Sequence, residues 1–159
     1  MVKHSSPTMA HKRRFHVLLT QDRPYADEHW TCQLPKLLEP QGFESYVVHS
    51  GKEAIEIAGK IELHAAVVDL GTPFDLEPGA LPAEISRAER TAEMWLELFR
   101  RLPNRPPMVI VHQSDYSSRR LNRVMREALE LGAFSILSKP VEMETLLEVF
   151  RRMFARRMG

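Results

Sequence analysis

The sequence predicts a doubly wound α/β protein, in which helices cover both faces of a five-stranded parallel sheet. Five short apolar runs alternate along the 159 residues with segments whose apolar residues recur at helical spacing. Such alternation is typical of sheets in which crossover helices connect parallel strands. No internal repeat or low-complexity segment favours another architecture.

The predicted strands are continuous apolar runs, because a parallel strand is buried on both faces. Each run ends in polar residues or near a glycine, which limits its length. The five predicted strands are Phe15–Thr20, Tyr46–Val48, Ala65–Val68, Met108–Val111 and Phe134–Leu137.

The predicted helices follow from apolar residues spaced three and four apart. The first begins near Tyr25, and Pro35 is expected to kink or split it before Gly42 ends it. Ser50 and Glu53 form a capping-box pattern at the start of the second. The later helices start near Ala88, at Ser117 or Ser118, and near Met143, with Gly132 closing the fourth.

Length and composition describe one domain, predicted to span residues 15–157 after a flexible basic tail, residues 1–14. The net charge of +1 gives no electrostatic case for binding nucleic acid or a membrane surface. Cys32 is the only cysteine, which excludes an intrachain disulfide and favours the reducing cytoplasm. No apolar run approaches the roughly 20 residues of a membrane span, so no membrane insertion is expected.

Polar side chains follow four of the predicted strands, at the edge where ligands bind in sheets of this kind. They are Gln21, Asp22, Asp69, His112, Ser114 and Lys139. Asp22 and Asp69 could hold Mg²⁺, which prefers oxygen ligands. Lys139 could pair with a carboxylate or with an incoming phosphoryl group.

Three segments, VLLTQDRP, VVDLGTP and LSKP, resemble in that order the motifs of response-regulator receiver domains of the chemotaxis-receiver type. The resemblance extends from Phe15 to Phe154 and includes GF at 42–43 and GA at 132–133. It implies a flavodoxin-like fold of receiver type and a role in two-component, or phosphorelay, signal transduction.

The resemblance also implies roles for individual residues. Asp69 matches the family's phosphoacceptor, and Lys139 matches its lysine. Asp22 and the carbonyl of Gly71 match the positions that bind Mg²⁺ together with the acceptor. The implied partners are a sensor histidine kinase or phosphotransfer protein and a downstream protein target, with a homodimer left open. Such a protein is no enzyme beyond catalysing its own phosphoryl transfer and hydrolysis.

Three residues depart from the family pattern. Gln21 stands where a second acidic residue is usual, and we expect weaker Mg²⁺ binding from it. His112 replaces a small hydroxyl residue, whose role Ser114 could assume if the strand end bulges. Ile136 replaces an aromatic residue that moves on activation. In the unusually long connection after Asp69, the acids Asp75 and Glu77 are expected to be solvated.

Two functions stay open at this point. The first is a phosphorylatable receiver that switches a partner surface near the fourth helix and the fifth strand, and the survival of Asp22, Asp69 and Lys139 favours it. The second is a degenerate pseudo-receiver that binds partners without phosphorylation, which the three departures favour. A small enzyme on this architecture is a third, but GxGxxG, GxxxxGK and GxSxG motifs are missing.

Overall fold

The computed structural model describes residues 14–21, 30–74, 87–112 and 119–158, and within them five strands alternate with five α-helices. The strands are β1 (Phe15–Thr20), β2 (Phe43–Val48), β3 (Ala65–Asp69), β4 (Met108–His112) and β5 (Ala133–Ser138). The helices are α1 (Trp30–Leu38), α2 (Gly51–Ala58), α3 (Arg87–Arg101), α4 (Arg119–Glu130) and α5 (Met143–Met158). The predicted tail, apart from Arg14, lies outside the described residues.

The strands form one sheet in the order β2-β1-β3-β4-β5, and every neighbouring pair is parallel. The chain first moves from β1 outward to β2, and then returns to place β3 on the other side of β1. The direction of winding therefore reverses between β1 and β3, at the point where sheets of this order bind their ligands. The predicted fold class is confirmed.

Two apolar layers cover the sheet because successive side chains of each strand point to opposite faces. Leu18 and Ile110 pack on one face, together with Trp95 and Phe99 of α3. Val17 and Leu19 pack on the other face, where α1 and α5 supply the following buried side chains: Leu34, Leu38, Leu146, Phe150 and Phe154. Among the described helices, none combines the length and apolar character needed to cross a membrane.

The strand boundaries show where the sequence pattern was incomplete. β1 has its predicted bounds, whereas β2 begins at Phe43, three residues before its predicted start at Tyr46. Glu44 and Ser45 hide this start, because β2 is an edge strand and leaves them partly exposed. At the carboxyl edge, three polar residues that the predicted strands left out are the last residues of the observed ones: Asp69, His112 and Ser138.

The first helix differs from its prediction. α1 continues without a break through Pro35 to Leu38, so the predicted split is wrong. A 3-10 turn, Glu39–Gln41, follows, and Gly42 ends it with a φ of 93° while its N–H donates to the Glu39 carbonyl. The predicted start near Tyr25 lies outside the described residues.

The second helix has the predicted cap in altered form. Ser50 Oγ accepts a hydrogen bond from the Glu53 N–H at 3.1 Å, as predicted. The Glu53 carboxylate accepts from the His49 N–H at 3.4 Å, one residue before the partner that a capping box uses. α3 begins at Arg87, beside its predicted start, and Gly132 closes the turn after α4 with a φ of 98°. The predicted start of the fourth helix at Ser117 or Ser118 lies outside the described range.

Candidate functional site

Asp69 is the last residue of β3 and lies beside the point where the winding of the sheet reverses. Its carboxylate makes close contacts with two of the described residues. Oδ2 lies 2.6 Å from Lys139 Nζ, and Oδ1 accepts a hydrogen bond from the Gly71 N–H at 2.8 Å. The Asp69 side chain is 1% exposed, so a compensating cation is required to keep it ionised there. The predicted pair of Asp69 and Lys139 is brought together.

Lys139 reaches Asp69 across the end of β4, which separates β5 from β3. Its backbone N–H donates to the His112 carbonyl at 2.8 Å, and this contact continues the β4–β5 ladder by one residue. A cis peptide bond joins it to Pro140. The Lys139 side chain is 24% exposed, so the ammonium group connects the buried carboxylate with solvent.

Gln21, directly after β1, is 5% exposed, and its backbone N–H donates to the Val48 carbonyl at 2.9 Å. Its side-chain Nε2 has no hydrogen-bond partner among the described residues. Asp22, the predicted second carboxylate, lies outside them. In the described part of the chain no three His, Cys, Asp or Glu residues form a metal-binding cluster.

These residues fit a divalent cation in the chemistry of their donors. The Asp69 carboxylate, the side-chain oxygen of Gln21 and the Gly71 carbonyl are oxygen donors, which Mg²⁺ and Ca²⁺ prefer. Only one of the three carries a negative charge. The fit is therefore to a hard cation held with modest affinity.

His112 ends β4 and is partly exposed. Its Nε2 lies 3.4 Å from Oγ of Ser138, the residue of the LSKP segment that ends β5. Ser114, the predicted substitute, lies outside the described residues, as do Asp75 and Glu77. Ile136 is partly buried and packs against the α3 side of the core.

Two further residues of the site were missed by the sequence analysis. Thr20 and Thr72 are fully buried, and their hydroxyl groups lie 3.0 Å apart beside the backbone of Asp69. A hydroxyl residue at the end of an apolar strand was the available indication of Thr20. Thr72 lies within the segment VVDLGTP, three residues after Asp69.

The architecture is that of response-regulator receiver domains. A receiver domain (CheY-like) from Methanospirillum hungatei JF-1 has a TM-score of 0.59 and 19% identity, over 92% of this chain and 99% of that one. A response regulator from Burkholderia pseudomallei has a structure that holds a phosphorylated aspartic acid, a calcium ion and citrate. Its TM-score is 0.57 and its identity is 19%, over 91% of this chain and 71% of that one.

A third solved structure, the receiver domain of a signal transduction histidine kinase from Syntrophus aciditrophicus, has a TM-score of 0.56 and 19% identity over 89% of this chain and 90% of that one. No protein-family model matches the sequence, and no curated protein is significantly similar to it. The resemblance predicted from three short motifs is thus confirmed at the level of the fold.

Proposed function

We propose that the protein is a receiver of two-component signal transduction that accepts a phosphoryl group on Asp69. The arrangement around this carboxylate carries the proposal: it lies at the end of β3, with an ammonium group at 2.6 Å and a backbone N–H at 2.8 Å. The place in the sheet is the one where this fold binds ligands.

The chemistry is a phosphoryl transfer between two nucleophiles. An oxygen of the Asp69 carboxylate attacks the phosphorus of a phosphohistidine on a sensor kinase or phosphotransfer protein. The P–N bond breaks, the histidine nitrogen keeps the electron pair, and an aspartyl phosphate forms. Negative charge on the phosphoryl oxygens is then stabilised by Lys139 and by the Gly71 N–H.

A divalent cation, Mg²⁺ by this proposal, would be held by Asp69, Asp22, the side-chain oxygen of Gln21 and the carbonyl of Gly71. When bound, it supplies positive charge beside the phosphoryl oxygens. The calcium ion and phosphorylated aspartic acid in the Burkholderia pseudomallei protein support this assignment. Because Gln21 carries no charge, the affinity for the cation should be below that of a site with three carboxylates.

The output of this switch is assigned to the face formed by α4 and β5. Leu129 of α4 and Phe134 of β5 are 56% and 44% exposed, so each element presents a large apolar side chain to solvent. A downstream protein that covers these side chains would bury apolar surface. The face is the one predicted from the sequence as the partner surface.

Acetyl phosphate with Mg²⁺, followed by intact-mass measurement, tests the proposal. We expect the wild type to gain the mass of one phosphoryl group and Asp69→Asn to gain none. Asp75→Asn, which removes an acid six positions further along the chain, is the matched control and should be modified like the wild type. A wild type that stays unmodified at millimolar Mg²⁺ would overturn the proposal in favour of a phosphorylation-independent interaction module.

A further inference from the structure

The backbone of Asp69 is held by a pair of buried hydroxyl groups. Thr20 Oγ1 accepts a hydrogen bond from the Asp69 N–H at 2.7 Å and another from the Thr72 hydroxyl at 3.0 Å. Asp69, Thr20 and Thr72 are all fully buried. One oxygen of β1 therefore fixes the acceptor residue and the turn that follows it.

The hydroxyl group of Thr20 lies just beyond the last paired residues of β1 and β3. β1 and β3 pair from Val17 and Ala65 to Leu19 and Val67, two residues before Asp69. On its other side β1 pairs with β2 along its whole length, and the Gln21 N–H continues that ladder by donating to the Val48 carbonyl. An apolar residue in place of Thr20 would leave the Asp69 N–H without this acceptor in the interior, which is unfavourable.

Thr72 extends this connection to a helix. Its N–H donates to the Asp69 carbonyl at 2.9 Å, and its own carbonyl accepts from the Trp95 indole N–H at 2.9 Å. Trp95 is fully buried in α3 and makes an edge contact with Phe74, their ring centroids 5.2 Å apart. A change in the turn after Asp69 would thus alter the hydrogen bond of a core residue in α3.

We propose that Thr20 and Thr72 are positioning residues for the phosphoacceptor, and that Trp95 transmits the state of the turn to α3. The inference rests on the proposed function of Asp69. The Gly71 N–H now donates to Oδ1 of Asp69, and phosphorylation converts one carboxylate oxygen into the bridging anhydride oxygen of an acyl phosphate. The turn from Asp69 to Thr72 changes its conformation in response. The hydrogen bond between the Thr72 carbonyl and the Trp95 indole transmits this change to α3. Ile136 on β5 takes no part in this route.

Thr20→Val and Thr72→Val remove each hydroxyl group at nearly constant volume. We expect each to lower the rate constant for phosphorylation by acetyl phosphate about 10-fold, because a displaced nucleophile loses its alignment. Val17→Ala is the control: it creates a cavity in the same strand, but on the opposite face of the sheet from the hydroxyl pair. Rates are compared at a temperature where circular dichroism shows every variant folded, and Val17→Ala should stay within about 2-fold of the wild type.

Transmission is measured by fluorescence in a Trp30→Phe background, since the chain has two tryptophans and Trp95 is then the only one. Phosphorylation, checked by mass, should shift the Trp95 emission, and Asp69→Asn should show no shift. If the wild type is never phosphorylated, the proposed function and this inference both fail. If it is phosphorylated while Thr20→Val reacts at the same rate, or while the Trp95 emission stays constant, this inference alone is overturned.

Discussion

The sheet has a carboxyl edge, where its parallel strands end, and an amino edge, where they begin. The two edges bury side chains of different kinds. At the carboxyl edge, polar groups are buried and held in a network around Asp69, with the Lys139 ion pair and the Thr20 and Thr72 hydroxyl groups. At the amino edge, mainly rings pack together. The contrast shows which part of the molecule is built for a ligand.

The amino edge is organised around Phe15, whose ring lies 5.5 Å from that of Phe43 and 5.8 Å from that of Phe154. Its histidines make hydrogen bonds with the backbone. The His16 N–H donates to His64 Nδ1 at 2.9 Å, and Nδ1 of His16 lies 3.0 Å from the Glu62 carbonyl oxygen. These contacts fix the start of β1 beside the start of β3. The Glu44 carboxylate here is 11% exposed and lies 3.7 Å from His16 Nε2, so it is less buried than that of Asp69, which is 1% exposed.

A buried polar network costs stability when it loses one member, whereas ring packing degrades gradually with each atom removed. The carboxyl edge should therefore respond to single polar substitutions far more strongly than the amino edge. Three sets of stability measurements test this contrast.

The largest effect is expected from Lys139→Met, which leaves the Asp69 carboxylate buried without its cation. We expect a loss of about 3 kcal/mol in the free energy of unfolding, measured with urea. Asp69→Asn should cost less than about 1 kcal/mol, because Lys139 is 24% exposed and its ammonium group can turn to water. The double variant should recover most of the loss, and equal losses for the two single variants would contradict this description of the ion pair.

Two glycines at opposite ends of α2 compare the edges directly. A Cβ on Gly51, at the carboxyl edge, would lie 2.1 Å from Phe74 Cδ2, and the Phe74 ring is locked against Trp95. We expect Gly51→Ala to lower the free energy of unfolding by about 2 kcal/mol.

Gly59, at the other end of the same helix, provides the matched control. Its nearest atom to a new Cβ would be the Ile55 carbonyl oxygen at 3.5 Å, and its φ is −78°. Gly59→Ala should therefore be neutral or stabilising by about 0.5 kcal/mol in the same urea experiment. A loss of stability at Gly59 as large as that at Gly51 would show that the carboxyl edge tolerates an added Cβ no less well than the amino edge.

At neutral pH the smallest effect is expected for Tyr46 of β2, whose ring lies 5.6 Å from that of His16. Burial, followed by a hydrogen bond with Glu44 and the charge of Glu44, raises the pKa of Tyr46 from 10.0 to about 12. Folding therefore favours the neutral phenol: its contribution to stability is complete below pH 10 and is lost as the pH rises from 10 to about 12. Tyr46→Phe should flatten the decline of stability in that range, and an equally steep decline in this variant would contradict the assignment to Tyr46.

The fold could be predicted because strands buried on both faces must be apolar throughout, and such runs are visible in a sequence. The pair of Asp69 and Lys139 could be predicted because Asp69 directly follows one such run and Lys139 lies two residues after another. Thr20 and Thr72 were missed because a buried hydroxyl group acquires its partner only when two strand ends meet. The contact of His112 with Ser138 depends on the β4–β5 register, which shifts irregularly between Met108 and Val109.

The claim that the carboxyl edge around Asp69 is the phosphorylation-responsive part of the molecule is tested most directly by NMR. An amide spectrum is recorded with and without beryllofluoride and Mg²⁺. We expect the largest changes at the carboxyl edge, in the amides of Gly71, Thr72 and Lys139 and in the Trp95 indole N–H. The amides of His16 and His64 at the amino edge should stay in place, and Asp69→Asn should show no response. An unchanged wild-type spectrum, or changes spread equally over both edges, would contradict the account.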